Sequence, residues 1–485
     1  MTPTPEGAPW QWSAAEIARE IRAGRLSAVE ATASCLERVR AVNGRLNALV
    51  DVDADRALAA ARRADERAAE GAPVGLLHGV PTTVKINTDV AGEPTDNGIS
   101  AYRDDVARAD SAVAAALREE GAVLIGRNNA PAFSFRWFTD NAPHGRTLNP
   151  WDPHRTPGGS SGGAAAAVAS GMVPVAHGND IGGSIRYPAY ACGIAGIRPT
   201  VGRIPARGGG RRHAARPSLS RQLMSTQGPL ARTVGDLALA LDAMSSTDTV
   251  RDVMSVPVDG SGIADRSAAA PRVGIVRDVA GTSTDPALLA ALEAASDILA
   301  DAGVEVVEVS APEFAEAHRL WSLLLLEDMR TMRETMREVG DPDAVSAMEH
   351  MFGHAVEQWG TEPSGALALE GWTRRNELLL ALGERFAETP VILTPPSAQL
   401  PFADGTDTAG GERTAAMFAA QWPATSLPVL GLPGVTVPTG TMSPAVNGMP
   451  LGVQLVGPRF SEARLLGTAQ LIEDGAEAPA PIDPR

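Results

Sequence analysis

The chain has 485 residues, 44% of them apolar, which is ample for a large buried core. A formal net charge of −16 leaves no basic face for nucleic acid or an anionic membrane surface. Two cysteines, Cys35 and Cys192, exclude a disulfide framework and a four-cysteine zinc site and fit a reducing compartment. "MTPTPEGAPWQW" lacks a charged start and an apolar run, and "LWSLLLLEDM" is too short to span a bilayer, so the cytoplasm is the expected location.

In chain order, the pairs Ser13/Glu16 and Ser27/Glu30 have capping-box spacing and predict two early helices. An alanine-rich charged helix follows over about 54–70, and "GAPVGLLHGVPTTVKI" reads as a loop into a strand carrying Lys85. A helix from about Asp110 to Glu120 leads into the short buried strand "GAVLIG". Pro150, Pro153 and Pro157 forbid a central strand in "NPWDPHRTPGG", which is expected to be an ordered loop before an alanine-rich helix opened by "GGSSGG". "MVPVAHGND" predicts a strand that delivers Ser184 on the next turn.

From 272, "RVGIVRD", a helix near 286–302 and "VEVVEV" predict a strand–helix–strand unit. Residues 310–390 read as mainly helical, with Met329, Met332, Met336, Met348 and Met351 as core. "LPVLGLPGVTVPTG" and "PLGVQLVG" predict late buried strands. The alternation implies an α/β fold with one large sheet. No clean linker divides it, so 1–485 is expected as a single domain. Its parts are N-terminal helices (13–70), a core (71–245), a variable, mainly helical region (250–400) and a return to the core (415–475).

Of the 42 basic residues only Lys85 is a lysine. Arginine keeps its proton near neutrality, whereas a lysine can lose one when its surroundings lower its pKa. A single lysine between Val84 and Ile86 therefore marks a position that needs a deprotonatable amine.

Several glycine-rich readings fall. "GGSSGG" is not a Walker loop, because no lysine follows it, and its glycine spacing is wrong for a dinucleotide fingerprint. Gly159-Ser160-Ser161-Gly162-Gly163 matches the G-x-S-x-G elbow of α/β-hydrolases, with "HG" at His78 imitating their oxyanion loop. That elbow needs a strand directly before the serine, and "NPWDPHRTPGG" cannot supply one. His177 reads as a satisfied strand histidine rather than a base, and Cys192 as a small buried side chain rather than a nucleophile.

One lysine, a glycine-flanked serine pair and a glycine-preceded serine form a more specific set. Together with "GVPTTVKIN", "RADSAVAAALREEGAVLIGRNNAPAF", "GRTLNPWDPHRTPGGSSGGAAAAVASG" and "GNDIGGSIRYPAYACGIAGIRPTVGRIP", it resembles the amidase signature family over most of 13–245 and 415–475. The resemblance implies the amidase-signature fold, a large mixed sheet surrounded by helices, and a metal- and cofactor-free amidohydrolase with a Ser–cis-Ser–Lys triad. In that triad Ser184 is the nucleophile, Ser160 the bridging serine on a cis peptide after Gly159, and Lys85 the base. Backbone N–H groups of Ile181, Gly182, Gly183 and Ser184 would form the oxyanion hole, and the glycines let those amides converge. Asp180 and Arg186 are expected to support the turn, and Ser161 the hydrogen-bond network. Two positions depart from the family pattern: Ile86 stands where an acidic residue is common, and Asn179 where threonine is.

For the substrate, Phe133, Phe135, Trp137 and Phe138 offer an apolar wall for an aryl or acyl group. "RIPARGGGRRHAARPS" (203–218) reads as a solvated loop or a lid for a carboxylate-bearing substrate. The expected partner is a small or medium amide, with neither nucleic acid nor membrane, and a homodimer is left open. The alternatives are the glutaminase component of an amidotransferase, and an esterase or acyl transferase using the same serine. The aromatic stretch favours an apolar substrate over glutamine.

Overall fold

The computed structural model describes residues 5–210, 217–245, 255–256, 268–476 and 480–485. Within them, eleven strands join one sheet. They are β1 (Leu49–Asp51), β2 (Pro81–Lys85), β3 (Val123–Asn128), β4 (Val175–Asp180), β5 (Ala195–Arg198), β6 (Thr226–Ala231), β7 (Arg272–Ile275), β8 (Glu305–Glu308), β9 (Val391–Thr394), β10 (Gly434–Ser443) and β11 (Met449–Val456). The order across the sheet is β1-β3-β2-β4-β6-β5-β10-β11-β9-β7-β8. β2 runs parallel to both β3 and β4, the strands from β4 through β6, β5, β10 and β11 to β9 pair antiparallel, and β7 is parallel to β8 and β9. A large mixed sheet wrapped by helices is therefore the fold.

Local signals produce most elements. Ser13 and Ser27 accept the N–H of Glu16 and Glu30, whose carboxylates reach back to the serine amides, completing both capping boxes. The helices of the 310–390 region are Glu313–Val339, Pro342–Trp359 and Gly365–Glu388. Their apolar faces, with Met329, Met336, Met348 and Met351, form a second core beside the one under the N-terminal helices.

One element differs from the sequence reading. "LPVL" closes a helix, Trp422–Leu430, instead of opening a strand, although Pro428 lies inside it. Proline lacks the N–H that would bond the carbonyl four residues back, that of Ala424. Arg186 Nη2 bonds that carbonyl instead at 2.6 Å, and Gly431, at φ +67°, ends the helix. The arginine-rich loop also differs in part. Its residues 211–216 lie outside the described residues, but Gly209 is pinned, its N–H donating to Asp89 and its carbonyl accepting from Ala109.

The parallel pairing of β2 and β4 places their carboxyl ends side by side, where α/β sheets gather functional groups. All five residues of β2 are buried, as befits a parallel strand covered on both faces.

Candidate active site

Lys85 ends β2, and its side chain is fully buried. Its Nζ lies 2.7 Å from Ser160 Oγ, 3.1 Å from Ser161 Oγ and 2.8 Å from Asn179 Oδ1. Burial drives the Lys85 pKa well below that of an ordinary lysine, against the opposing pull of the Asp180 charge. A neutral amine has two N–H groups and one lone pair. The Asn179 oxygen can only accept, so one N–H is committed there. The second suits Ser161, and the lone pair is left for the closest neighbour, the Ser160 hydroxyl.

Asn179 is held in that orientation by its own amide nitrogen, which donates to Asn87 Oδ1 at 2.9 Å. Asn87 in turn donates to Ser134 Oγ at 2.8 Å. The departure at Asn179 is thus an amide pair reaching from the lysine to the cleft wall. The other departure, Ile86, is simply buried apolar surface.

Ser160 follows a cis Gly159–Ser160 peptide bond. The loop is set by contact: a Cβ on Gly159 would lie 2.4 Å from the Arg136 carbonyl oxygen, and one on Gly158 2.5 Å from Pro188 Cα. Ser161, fully buried, stands at the start of helix Gly162–Ala169 with no strand before it, so it is not a hydrolase elbow.

Ser184 sits on the turn between β4 and helix Arg186–Cys192. At 7% exposure it is the member of the three that reaches the cleft. Its hydroxyl makes no hydrogen bond to Ser160 or to any other described residue, so the lysine–serine half of the cluster is closed and the serine–serine half is open.

Asp180 anchors the turn. Its carboxylate accepts from the N–H groups of Gly183 (2.9 Å) and Ile185 (3.2 Å) and from Arg186 Nε and Nη2. Arg198, which the sequence reading missed, adds a third cation contact at 3.4 Å and bonds the Asp180 carbonyl at 2.6 Å. Burial alone would raise the Asp180 carboxyl, but Arg186 and Arg198 hold it below its ordinary value. Of the four backbone donors expected around Ser184, Gly183 is therefore engaged. Those of Ile181, Gly182 and Ser184 are not bonded to any described residue.

His177 is removed as a base. Its Nε2 donates to Gln227 Oε1 at 2.8 Å, its Nδ1 accepts the Lys85 backbone N–H at 3.4 Å, and burial lowers its pKa to about 3. Cys192 is buried against the Pro157 carbonyl, with its thiol pushed upward.

The cleft at Ser184 is narrow, about 20 Å³, roughly the room of one water. It is lined by Ser134, Phe135, Arg136 and Trp137, by the turn at Ile181 and Gly182, and by Trp321 and Leu325. Phe133 and Phe138 are placed elsewhere. Phe133, at φ +58°, turns into a small cluster with Ile99 and Ala132, and Phe138 stacks on Phe402. A larger cavity of about 250 Å³, lined by Phe138, Thr139, Asp140 and Pro157 among others, touches none of Lys85, Ser160 and Ser184. Trp321 carried no signal in the sequence, because a tryptophan in a leucine-rich helix reads as core. Among the described residues no group of His, Cys, Asp and Glu side chains is arranged to hold a metal ion, and no helix is long and apolar enough to cross a membrane.

The site thus joins a buried lysine to a serine at the carboxyl edge of a mixed sheet, beside a glycine-rich turn. The amidase family model matches residues 30–466, so the chain belongs to the amidase family. An indoleacetamide hydrolase of Bradyrhizobium diazoefficiens is 42% identical over 97% of this chain and 88% of its own. A component of the glutamyl-tRNA(Gln) amidotransferase of Salinispora tropica is 33% identical over 95% of this chain and 96% of its own. Among solved structures, a bacterial aryl acylamidase of the amidase signature family matches with a TM-score of 0.79 at 27% identity, covering 97% of this chain and 96% of that one. The chain is an amide-cleaving hydrolase.

Proposed function

We propose that the protein hydrolyses small arylacetamide-type amides through an acyl-enzyme on Ser184, with Ser160 as the bridging serine and Lys85 as the base. The observation that carries this reading is the fully buried Lys85 amine 2.7 Å from Ser160 Oγ, next to a cleft walled by tryptophans. The 42% identical relative named indoleacetamide hydrolase supports the same substrate class.

In this mechanism neutral Lys85 takes the Ser160 proton while Ser160 takes that of Ser184. Ser184 Oγ attacks the amide carbon, and the N–H groups of Gly182, Ser184 and Ile181 receive the developing oxyanion. Collapse breaks the C–N bond, and Ser160 returns a proton to the leaving nitrogen, releasing ammonia. Water then cleaves the acyl-enzyme by the reverse relay, giving the arylacetic acid. Asp180 and Arg186 act by holding the turn, and Ser161 and Asn179 by holding the lysine.

Phe135, Trp137, Trp321 and Leu325 offer an aryl group apolar contact, and Arg136, paired with Asp407 at 2.7 Å, is committed elsewhere. That lining favours an aryl substrate over glutamine. Two buried free cysteines, with the Cys35 thiol pushed up to about 12, favour a cytoplasmic setting.

The test is peptide mapping after treatment with a fluorophosphonate, alongside ammonia release from an arylacetamide. The expected result is one adduct on Ser184, lost in Ser184→Ala and Lys85→Ala, with kcat/KM falling at least about a thousandfold in each. An adduct on Ser161, or full activity without Lys85, overturns the assignment.

A further inference from the structure

The two tryptophans of the cleft do more than present their faces. Trp321 Nε1–H donates to the Ile181 carbonyl at 2.8 Å, and Trp137 Nε1–H donates to the Gly182 carbonyl at 2.8 Å. Ile181 and Gly182 are consecutive residues of the turn that precedes Ser184. The rings also stack on each other, with centroids 5.9 Å apart at 24°. A Cβ on Gly182 would stand 2.7 Å from Trp321 Cζ2, so the ring lies directly on the turn and requires glycine there.

A trans peptide unit is planar, and its C=O and N–H point in opposite directions. Fixing a carbonyl therefore aims the following N–H. The unit between Gly182 and Gly183 is held at both ends, by Trp137 on its oxygen and by Asp180 on its N–H. The unit between Ile181 and Gly182 is held only at its oxygen, by Trp321, and its N–H is bonded to no described residue. We propose that Trp321 and Trp137 are positioning residues for the oxyanion turn, with Trp321 setting the direction of the Gly182 N–H. This rests on the reading of Ser184 as the nucleophile.

The arrangement joins recognition to chemistry. A cleft of about 20 Å³ admits an aryl group only when side chains of its walls shift. The indoles that such a group touches are the ones that hold the turn. An acyl group that fits between them without breaking either N–H bond keeps the donor aimed, and one that displaces Trp321 releases it. The pair thus acts as a specificity device read out in kcat rather than only in KM.

Trp321→Phe and Trp137→Phe keep an aromatic ring and remove the N–H donor. With phenylacetamide as substrate, kcat should fall about 10- to 100-fold in Trp321→Phe and about three- to tenfold in Trp137→Phe, while KM stays within about threefold. The rate of Ser184 labelling by a fluorophosphonate should fall in the same order. A change confined to KM, or a larger loss from Trp137→Phe, overturns the inference and leaves the rings as walls. If the wild-type protein is labelled at Ser184 but does not turn over phenylacetamide, the labelling rates decide alone. A slowed Trp321→Phe then supports the positioning role while the substrate reading falls, and unchanged rates reject the role. Absence of wild-type labelling at Ser184 rejects both. Should a phenylalanine variant fold poorly, benzothienylalanine at position 321 replaces the N–H by sulfur at nearly constant shape and is judged by the same rates.

Discussion

The strand edge behind Ser184 and the helix that lines the cleft are tied down to different degrees. At the edge, Lys85 touches three polar partners and the Asp180 carboxylate is bonded by two backbone amides and two arginines, all out of solvent. In the cleft, Trp321 and Leu325 come from the long helix Glu313–Val339 and contribute apolar surface and a single indole donor. A saturated polar cluster has one low-energy arrangement, because any shift strands a buried donor or acceptor. An apolar wall can repack at smaller cost. The edge is therefore the rigid side of the site, and the helix the side that can repack.

Breaking the edge should produce the largest effect. Asp180→Asn keeps the shape but leaves Arg186 and Arg198 as buried, uncompensated charges. It is expected to destabilise the protein by about 3–5 kcal/mol, measured by chemical denaturation. A loss below about 1 kcal/mol would show that the cluster is not the anchor of the turn.

Lys85→Met sharpens the comparison through pH. In the folded protein Lys85 loses its proton well below the value of about 10.4 that it has in the unfolded chain. Between those values the unfolded chain binds one more proton, so the wild type gains stability as pH rises, by about 1.4 kcal/mol per unit. In Lys85→Met that contribution to the slope should be absent at pH values just below the unfolded-chain value. Equal slopes in the two proteins would mean that the lysine is charged when folded. The same sign applies to the proposed mechanism, in which Lys85 acts as the neutral base: kcat/KM should fall as pH drops through the folded-state pKa.

The mildest change probes the wall. Phe135 is half-buried at the cleft, and Phe135→Leu should raise KM for arylacetamides severalfold, about 1 kcal/mol, with kcat within about threefold. A loss chiefly in kcat would place Phe135 with the positioning residues.

Much of the edge was legible before any coordinates. A lone lysine between apolar neighbours, a serine pair among glycines and the Gly182–Gly183–Ser184 turn are local signals, because each depends on what the backbone must do within a few residues. The capping boxes at Ser13 and Ser27 were legible for the same reason. The aromatic stretch was legible only in part. Four aromatics lie within six residues, but Phe135 and Trp137 line the cleft, while Phe133 has a positive φ and packs with Ile99 and Ala132, and Phe138 stacks on Phe402. "LPVL" was misread as strand because the bond that replaces the missing Pro428 N–H comes from Arg186, far away in the chain.

By itself the sequence determined the family and its large mixed sheet, through the resemblance of whole motifs, and most single helices and strands, through local spacing. Only the tertiary structure decided that Arg198 completes the Asp180 cluster, that Asn87 turns the Asn179 amide toward the lysine, and that Trp321 bonds the carbonyl before Gly182. The reason is distance along the chain. Each contact joins segments separated by other strands or helices, so its partner is set by how the sheet and helices pack and leaves no local pattern to read.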